Sequence, residues 1–360
     1  MKIPDLSRYA LGTCAGIALL AGCTAGGSQV APAAGPMQQS ADTQLVPPKF
    51  LVARRQGFPA ASCSKAACVY VTNGCPAYSC PPPSVTVYAA NANGNVSPIR
   101  TISGSRTRLN GPVGIALDAG DNIYVANSAS SVVTVYSPSA NGNAAPIRTI
   151  AGSKTGLVSP DGIALGRTGT LFVANGGGSV TVYAPGAHGN VSPIRMISGS
   201  NTGFHSEFGL ALTANGNIQA LDTECFGIFR GCGSSVLIFG RDANGNVAPI
   251  RSRSLDFEAL GIALDERGET FLPGSQIFGF HPRVVALGRS GRPIRHISGR
   301  KTQLSFPYGI AVAEYGSVYV TNLTRGVTVY APNVHGDVAP IRTISGSNTG
   351  LVSPKGIAVH

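Results

Sequence analysis

Residues 114–150 read GIALDAGDNIYVANSASSVVTVYSPSANGNAAPIRTI. Four short runs stand out: Gly114 to Leu117, Tyr124 to Asn127, Val133 to Tyr136 and Pro146 to Ile150. They are rich in β-branched and aromatic residues and are separated by Gly, Asn, Ser and Pro, the residues that turn a chain. Each run is too short for a helix and reads as a strand. We call the four strands A, B, C and D.

The unit recurs along the chain. Pro-Ile-Arg begins at Pro98, Pro146, Pro193, Pro249, Pro293 and Pro340, with spacings of 48, 47, 56, 44 and 47. Gly-Ile-Ala or Gly-Leu-Ala begins at Gly114, Gly162, Gly209, Gly261, Gly309 and Gly356. Strand B recurs at 69–73, 123–127, 171–175, 218–222, 270–274 and 318–322. Strand C reads VTVY in four units and degrades to SVLIF near Val236 and RVVAL near Val284. Asn93-Gly94, Asn141-Gly142 and Asn244-Gly245 mark the C–D turn, where tight hairpins need positive φ. His188 and His335 replace Asn there, and His tolerates positive φ. Four strands repeated six times predict an all-β, six-bladed β-propeller over 68–360. The repeats start at strand B and stop at strand A. Residues 356–360 are therefore expected to pair beside 69–73 and close the first blade, leaving no open edge.

Tyr70-Val71-Thr72-Asn73 and Tyr319-Val320-Thr321-Asn322 carry a family resemblance. The repeats resemble those of NHL and YVTN-type propellers over residues 68–360. That resemblance implies that strand A lines a central channel, that D is outermost, and that the B–C and D–A loops share a ligand-binding face. It leaves activity open, because such propellers include lactonases, lyases and pure binding scaffolds.

Composition supports the strand reading. Gly 47 and Pro 25 suit many turns, and 43% hydrophobic residues exclude a chain that is disordered for want of a core. The net charge is +11, but only 12% of residues are charged, too sparse a field for a nucleic-acid binder. At the N-terminus, Lys2 and Arg8 precede an apolar run from Leu11 to Leu20 that is too short to span a bilayer. It ends in Leu20-Ala21-Gly22-Cys23, which resembles the lipobox of bacterial lipoproteins. The resemblance implies a signal peptide over 1–22, lipidation of Cys23 and export, with outer-membrane sorting if the host is Gram-negative, since Thr24 follows the anchor. Residues 23–49 then form a flexible tether of roughly 25–30 Å reach, and 50–67 an N-terminal extension.

Six further cysteines in an exported chain predict three disulfides. Cys75 and Cys80 share the B–C interval of the first unit, and Cys225 and Cys232 that of the fourth, which leaves Cys63 with Cys68. The alternative, zinc held by the first four, lacks a convincing C-x₂₋₄-C order.

Loops in units four to six depart from the plain pattern. Glu207, Asp222, Glu224, Asp256 and Glu258 form a candidate metal set, with Ca²⁺ the possible ion. Phe208, Phe226, Phe229, Phe257, Phe280 and Tyr308 form a candidate ligand face. Eight of the 13 Phe fall in these loops, so the enrichment is local. The plainer reading is that long loops need their own apolar plug. Val113, Asp161, Phe208, Leu260, Tyr308 and Lys355 precede the strand-A glycines and form a mixed ring, not an evident metal cage. His205 and His281 share the loop face without the third His of zinc-dependent amidating lyases. Asp222, in place of the Asn that ends strand B, is the best remnant of a lactonase-like metal site. The six Pro-Ile-Arg arginines are expected to lay their stems over neighbouring Tyr and keep the outer strands soluble.

The sequence therefore predicts a non-enzymatic, lipid-anchored binding or scaffold propeller of the bacterial cell envelope. It is read as a monomer without a cofactor, and its partner is an envelope protein, peptide or glycan. The rival is a lactonase- or lyase-like propeller enzyme with a divalent metal in the channel.

Overall fold

The computed structural model describes residues 68–74, 81–225, 232–276 and 280–360; for Glu207, Phe208, Glu224, Cys225, Cys232 and Phe280 only the backbone is described. The expected signal peptide, Cys23, the tether, the 50–67 extension and Cys63, Cys75 and Cys80 lie outside these residues.

Six antiparallel sheets follow the order A-B-C-D. The first blade joins Pro354–Val359 to Cys68–Asn73, Ser84–Ala89 and Arg100–Ser103. The second holds Pro112–Leu117, Ile123–Asn127, Val132–Tyr136 and Arg148–Ile150, and the third Pro160–Leu165, Leu171–Asn175, Ser179–Tyr183 and Arg195–Ser198. The fourth holds Glu207–Leu212, Ile218–Cys225, Cys232–Phe239 and Arg251–Ser254. In the fifth, strand A is broken into Glu258–Ala259 and Ala263–Leu264, followed by Thr270–Gln276, Phe280–Leu287 and Pro293–Ser298. The sixth holds Pro307–Val312, Val318–Asn322, Gly326–Tyr330 and Arg342–Ile344. The A strands touch in a closed ring, so A is innermost.

Closure follows the expected register. Val69 pairs with Val359, Tyr70 with Ala358 and Val71 with Ile357. The literal YVTN threonines explain themselves at this level. The Thr72 hydroxyl accepts the Gly356 N–H of its own strand A and donates to the Val113 carbonyl of the next blade at 2.7 Å. Thr321 likewise accepts from Gly309 and donates to Lys355. Strand-A glycine is required because the neighbouring backbone comes so close. A Cβ on Gly114, Gly261, Gly309 or Gly356 would overlap the carbonyl oxygen of Asp161, Tyr308, Lys355 or Val113 in turn.

Six apolar clusters fill the spaces between adjacent blades. Tyr136, Tyr183 and Tyr330 are fully buried in them, and each hydroxyl donates 2.6 Å to the carbonyl of Thr107, Thr155 or Thr302 in the preceding blade's D–A loop. The arginines meet a strand-B aromatic in five blades, a Tyr in three and a Phe in two. Arg148, Arg195, Arg295 and Arg342 lie 5.6–6.0 Å above Tyr124, Phe172, Phe271 and Tyr319, and Arg100 reaches the Tyr70 hydroxyl.

The C–D turns differ from the tight hairpins expected. In five blades the turn is a longer loop that reaches back to strand D of the preceding blade. Gly142, for example, forms a parallel bridge to Ile102. His188 and His335 do not take positive φ; Gly189 and Gly336 do. The two imidazoles instead accept the N–H of Thr149 and His296 through Nδ1, as Asn141 accepts that of Thr101.

Candidate functional site

Three of the residues that precede the strand-A glycines act on one another where the innermost strands come together. Asp161 comes from the third blade, Tyr308 from the sixth and Lys355 from the first, and all three are half-buried. Their side chains are fixed by strands whose backbones the glycines bring into contact. The Lys355 ammonium lies 5.8 Å from the Tyr308 ring centroid. Burial pushes the Asp161 carboxyl up to about 6, against a hydrogen bond from Ser128 and the charge of Lys355. Burial also pushes Lys355 down, with Asp161 opposing. The Tyr308 hydroxyl is raised by burial and further by Asp161. The set offers an acceptor, a cation and a neutral donor at the channel axis, suited to a ligand bearing carboxylate, amine and hydroxyl groups together. The sequence lists these residues as a ring. Their coupling was not legible there, because it depends on which blades face each other across the axis.

The candidate metal set does not share one environment. Asp222 is 3% exposed and fully engaged. Its Oδ1 accepts the N–H groups of His205 at 2.6 Å and Ser206 at 3.0 Å, and its Oδ2 lies 2.9 Å from His205 Nδ1. This is the D–A loop clamp made elsewhere by Asn73, Asn127, Asn175 and Asn322, which accept from Val352, Asn110, Val158 and Ser305. Those asparagines also donate to a strand-C Thr, such as Thr134. Asp cannot donate, and the matching position across the register is Leu237. The two changes therefore go together, and the burial of Asp222 is explained without an ion. Its unforeseen consequence is a His–Asp pair on the loop face, with His205 half-exposed.

Glu207 stands opposite Asp222 in the register, and Glu224 opposite Gly233. Asp256 is exposed, while Glu258 is half-buried and raised by that burial. Among the described residues, no group of three or more His, Cys, Asp or Glu converges to hold a metal.

The aromatic face divides in the same way. Phe257 is 3% exposed, packed with Leu221, Ala259 and Leu272 and covered by Arg283 at 5.9 Å. It is a core plug, and the expectation of an exposed ligand contact is corrected at this residue. Tyr308 faces the axis. Phe226 and Phe229 lie outside the described residues, as do the side chains of Phe208 and Phe280.

No family model matches the chain, and no curated protein matches it. Solved structures do. A protein of unknown function from Bacteroides caccae superposes with a TM-score of 0.58 at 12% identity, covering 82% of this chain and 98% of that one. The WD40 β-propeller domain of Doa1 gives a TM-score of 0.46 at 11% identity, covering 69% and 72%. At such identity the likeness is one of fold.

Proposed function

We propose that this chain is a lipid-anchored, non-enzymatic binding propeller of the bacterial cell envelope, built from NHL/YVTN-type repeats. It seats an envelope peptide or glycan at the channel mouth. The observation that carries this reading is the Asp161, Tyr308 and Lys355 set at the axis, where opposite charges and a hydroxyl are held apart by rigid strands. Cys23 carries the anchor, and the tether places the propeller away from the bilayer. In a Gram-negative host the anchor lies in the outer membrane. Three disulfides brace the chain. Support for them comes from Cys225 and Cys232, which stand opposite each other in the register.

The rival metal-enzyme reading relies most on Asp222, and the hydrogen bonds of that carboxylate weigh against it. Thermal melts with muropeptides test the binding reading. These fragments carry sugar hydroxyls, carboxylates and amines together. A stabilisation that Lys355→Met and Asp161→Asn each abolish is the expected result. A shift that both variants retain contradicts the site.

A further inference from the structure

Five of the six blade junctions share one outer seam. The C–D turn of one blade lays a glycine alongside strand D of the preceding blade, in the bridges Ile102 to Gly142, Ile150 to Gly189, Ile197 to Gly245, Ile297 to Gly336 and Ile344 to Gly94. The hydrogen bonds repeat. In the first seam Thr101 N–H donates to Asn141 Oδ1, Gly142 N–H to Thr101 O, and Ser103 N–H to Gly142 O. Asn143 continues the seam by accepting the Arg106 N–H.

The junction of blades four and five has no such seam. The fifth blade's C–D connection is cut to a tight turn over 288–292, closed by Gly288 N–H to Arg292 O and Gly291 N–H to Gly288 O. Among the described residues, no backbone hydrogen bond from it reaches Ser252 or Ser254, the counterparts of Thr101 and Ser103 in the matching register. Three substitutions coincide with this gap. Arg253 takes the place of the buried strand-D Ile, and the whole strand Arg251–Ser254 is exposed. Gln219 replaces the strand-B aromatic on which the other arginines stack, so Arg251 is exposed, with Nη1 on the Arg289 carbonyl at 3.2 Å. Leu287 replaces the strand-C Tyr that ties one blade to the last. The result is a cleft of about 1290 Å³ lined by the fourth and fifth blades and by the A–B turn of the third. Arg167, Arg241, Arg251, Arg253 and Arg289 line it, against Glu266 and Asp265, whose Oδ2 Arg267 holds at 3.0 Å.

We propose that this edge takes an extended acidic peptide of a partner protein, added as a strand beside Arg251–Ser254. The five closed seams define the backbone chemistry that the occupant must supply: an acceptor for Ser252 N–H, a donor for Ser252 O and an acceptor for Ser254 N–H. The surplus of arginine selects for acidic flanks. It also disfavours a second copy of this chain, since edge-to-edge pairing would bring arginine rows together.

The test uses the full-length protein in detergent and two labelled peptides with an Asn-Gly-Asn core, one flanked by Asp and Glu, the other by Lys. Fluorescence anisotropy is expected to show at least about tenfold tighter binding of the acidic peptide, weakening as salt rises. The double variant R251E/R253E should lose that preference. Ser252→Pro removes the N–H that the register match turns outward and fixes φ in an extended edge strand, which tolerates Pro, so it should keep the melting temperature and lose binding. Equal affinity for both peptides, or acidic-peptide binding unchanged in Ser252→Pro, overturns the proposal. Dimers in sedimentation that Arg253→Glu dissociates would assign the edge to a second copy and overturn it equally.

Discussion

The carbonyl oxygen of Val113 occupies the space that a Cβ on Gly356 would need. These residues lie near opposite ends of the repeat region, yet their strands are neighbours at the axis, and the same contact recurs from blade to blade. The ring therefore closes through backbone packing as well as through strand pairing. Gly356→Ala or Gly309→Ala is expected to force the blades apart and to destabilise the fold by about 1–3 kcal/mol, the usual cost of overpacking. Chemical denaturation measures this. An unchanged midpoint would show that the axis yields easily.

The Tyr136 hydroxyl ties the second blade to the D–A loop of the first at Thr107 O. Tyr136→Phe keeps the buried ring and leaves that carbonyl without its donor. A loss of about 1 kcal/mol is expected in equilibrium unfolding. A neutral substitution would mean that water replaces the hydroxyl.

Asp222→Asn preserves an acceptor for the His205 and Ser206 N–H groups and installs the residue that four other blades use. It keeps the acceptor but turns its NH2 toward Leu237 in place of a strand-C Thr, so in a thermal melt it should destabilise the fold, though by less than loss of the acceptor. Asp222→Ala leaves buried donors without a partner and should cost about 1–3 kcal/mol. Equal damage from both variants would point to the charge rather than the clamp.

The Asp161 carboxyl is raised from 3.8 to about 6 in the folded chain. A raised acid binds its proton more tightly folded than unfolded. Its contribution to stability is therefore greatest below pH 4, falls as pH rises from about 4 to 6, and stays low above that. Ser128, Lys355 and Tyr308 are the groups that act on it or feel its charge. Carboxyl carbon NMR should give a midpoint near 6, and Asp161→Asn should flatten the stability profile between pH 4 and 6. A midpoint near 4 would place the carboxyl in bulk water.

Most of the fold was legible in the sequence because each strand announces itself twice, by β-branched composition and by position in the repeat. Closure by residues 356–360 was legible from the order of the units. The site was less so. Asp222 draws attention in the sequence because an acid replaces Asn, whereas the loop N–H groups of His205 and Ser206 that it accepts belong to the backbone, which no side-chain pattern records. Phe257 joins the candidate ligand face because it sits in a loop, and only the junction of blades four and five shows the space it fills. The open seam had two signals, the short spacing of 44 and the loss of Ile at Arg253. Neither is interpretable until the C–D turns are seen to reach across to the neighbouring blade.

Membrane attachment through Cys23 has a direct check. Cys23→Ser should move the protein from the membrane to the soluble fraction with its fold intact. Unchanged partition would remove the anchor from the account.

The central claim, a binding propeller rather than a metal enzyme, is tested most directly by elemental analysis of the purified protein combined with melts in Ca²⁺ and in EDTA. The account predicts substoichiometric metal and one melting temperature in both conditions. One bound divalent ion per chain, with stabilisation by Ca²⁺ approaching the ~2.7 kcal/mol expected at 100 times its Kd and loss of that stabilisation in EDTA, would contradict it.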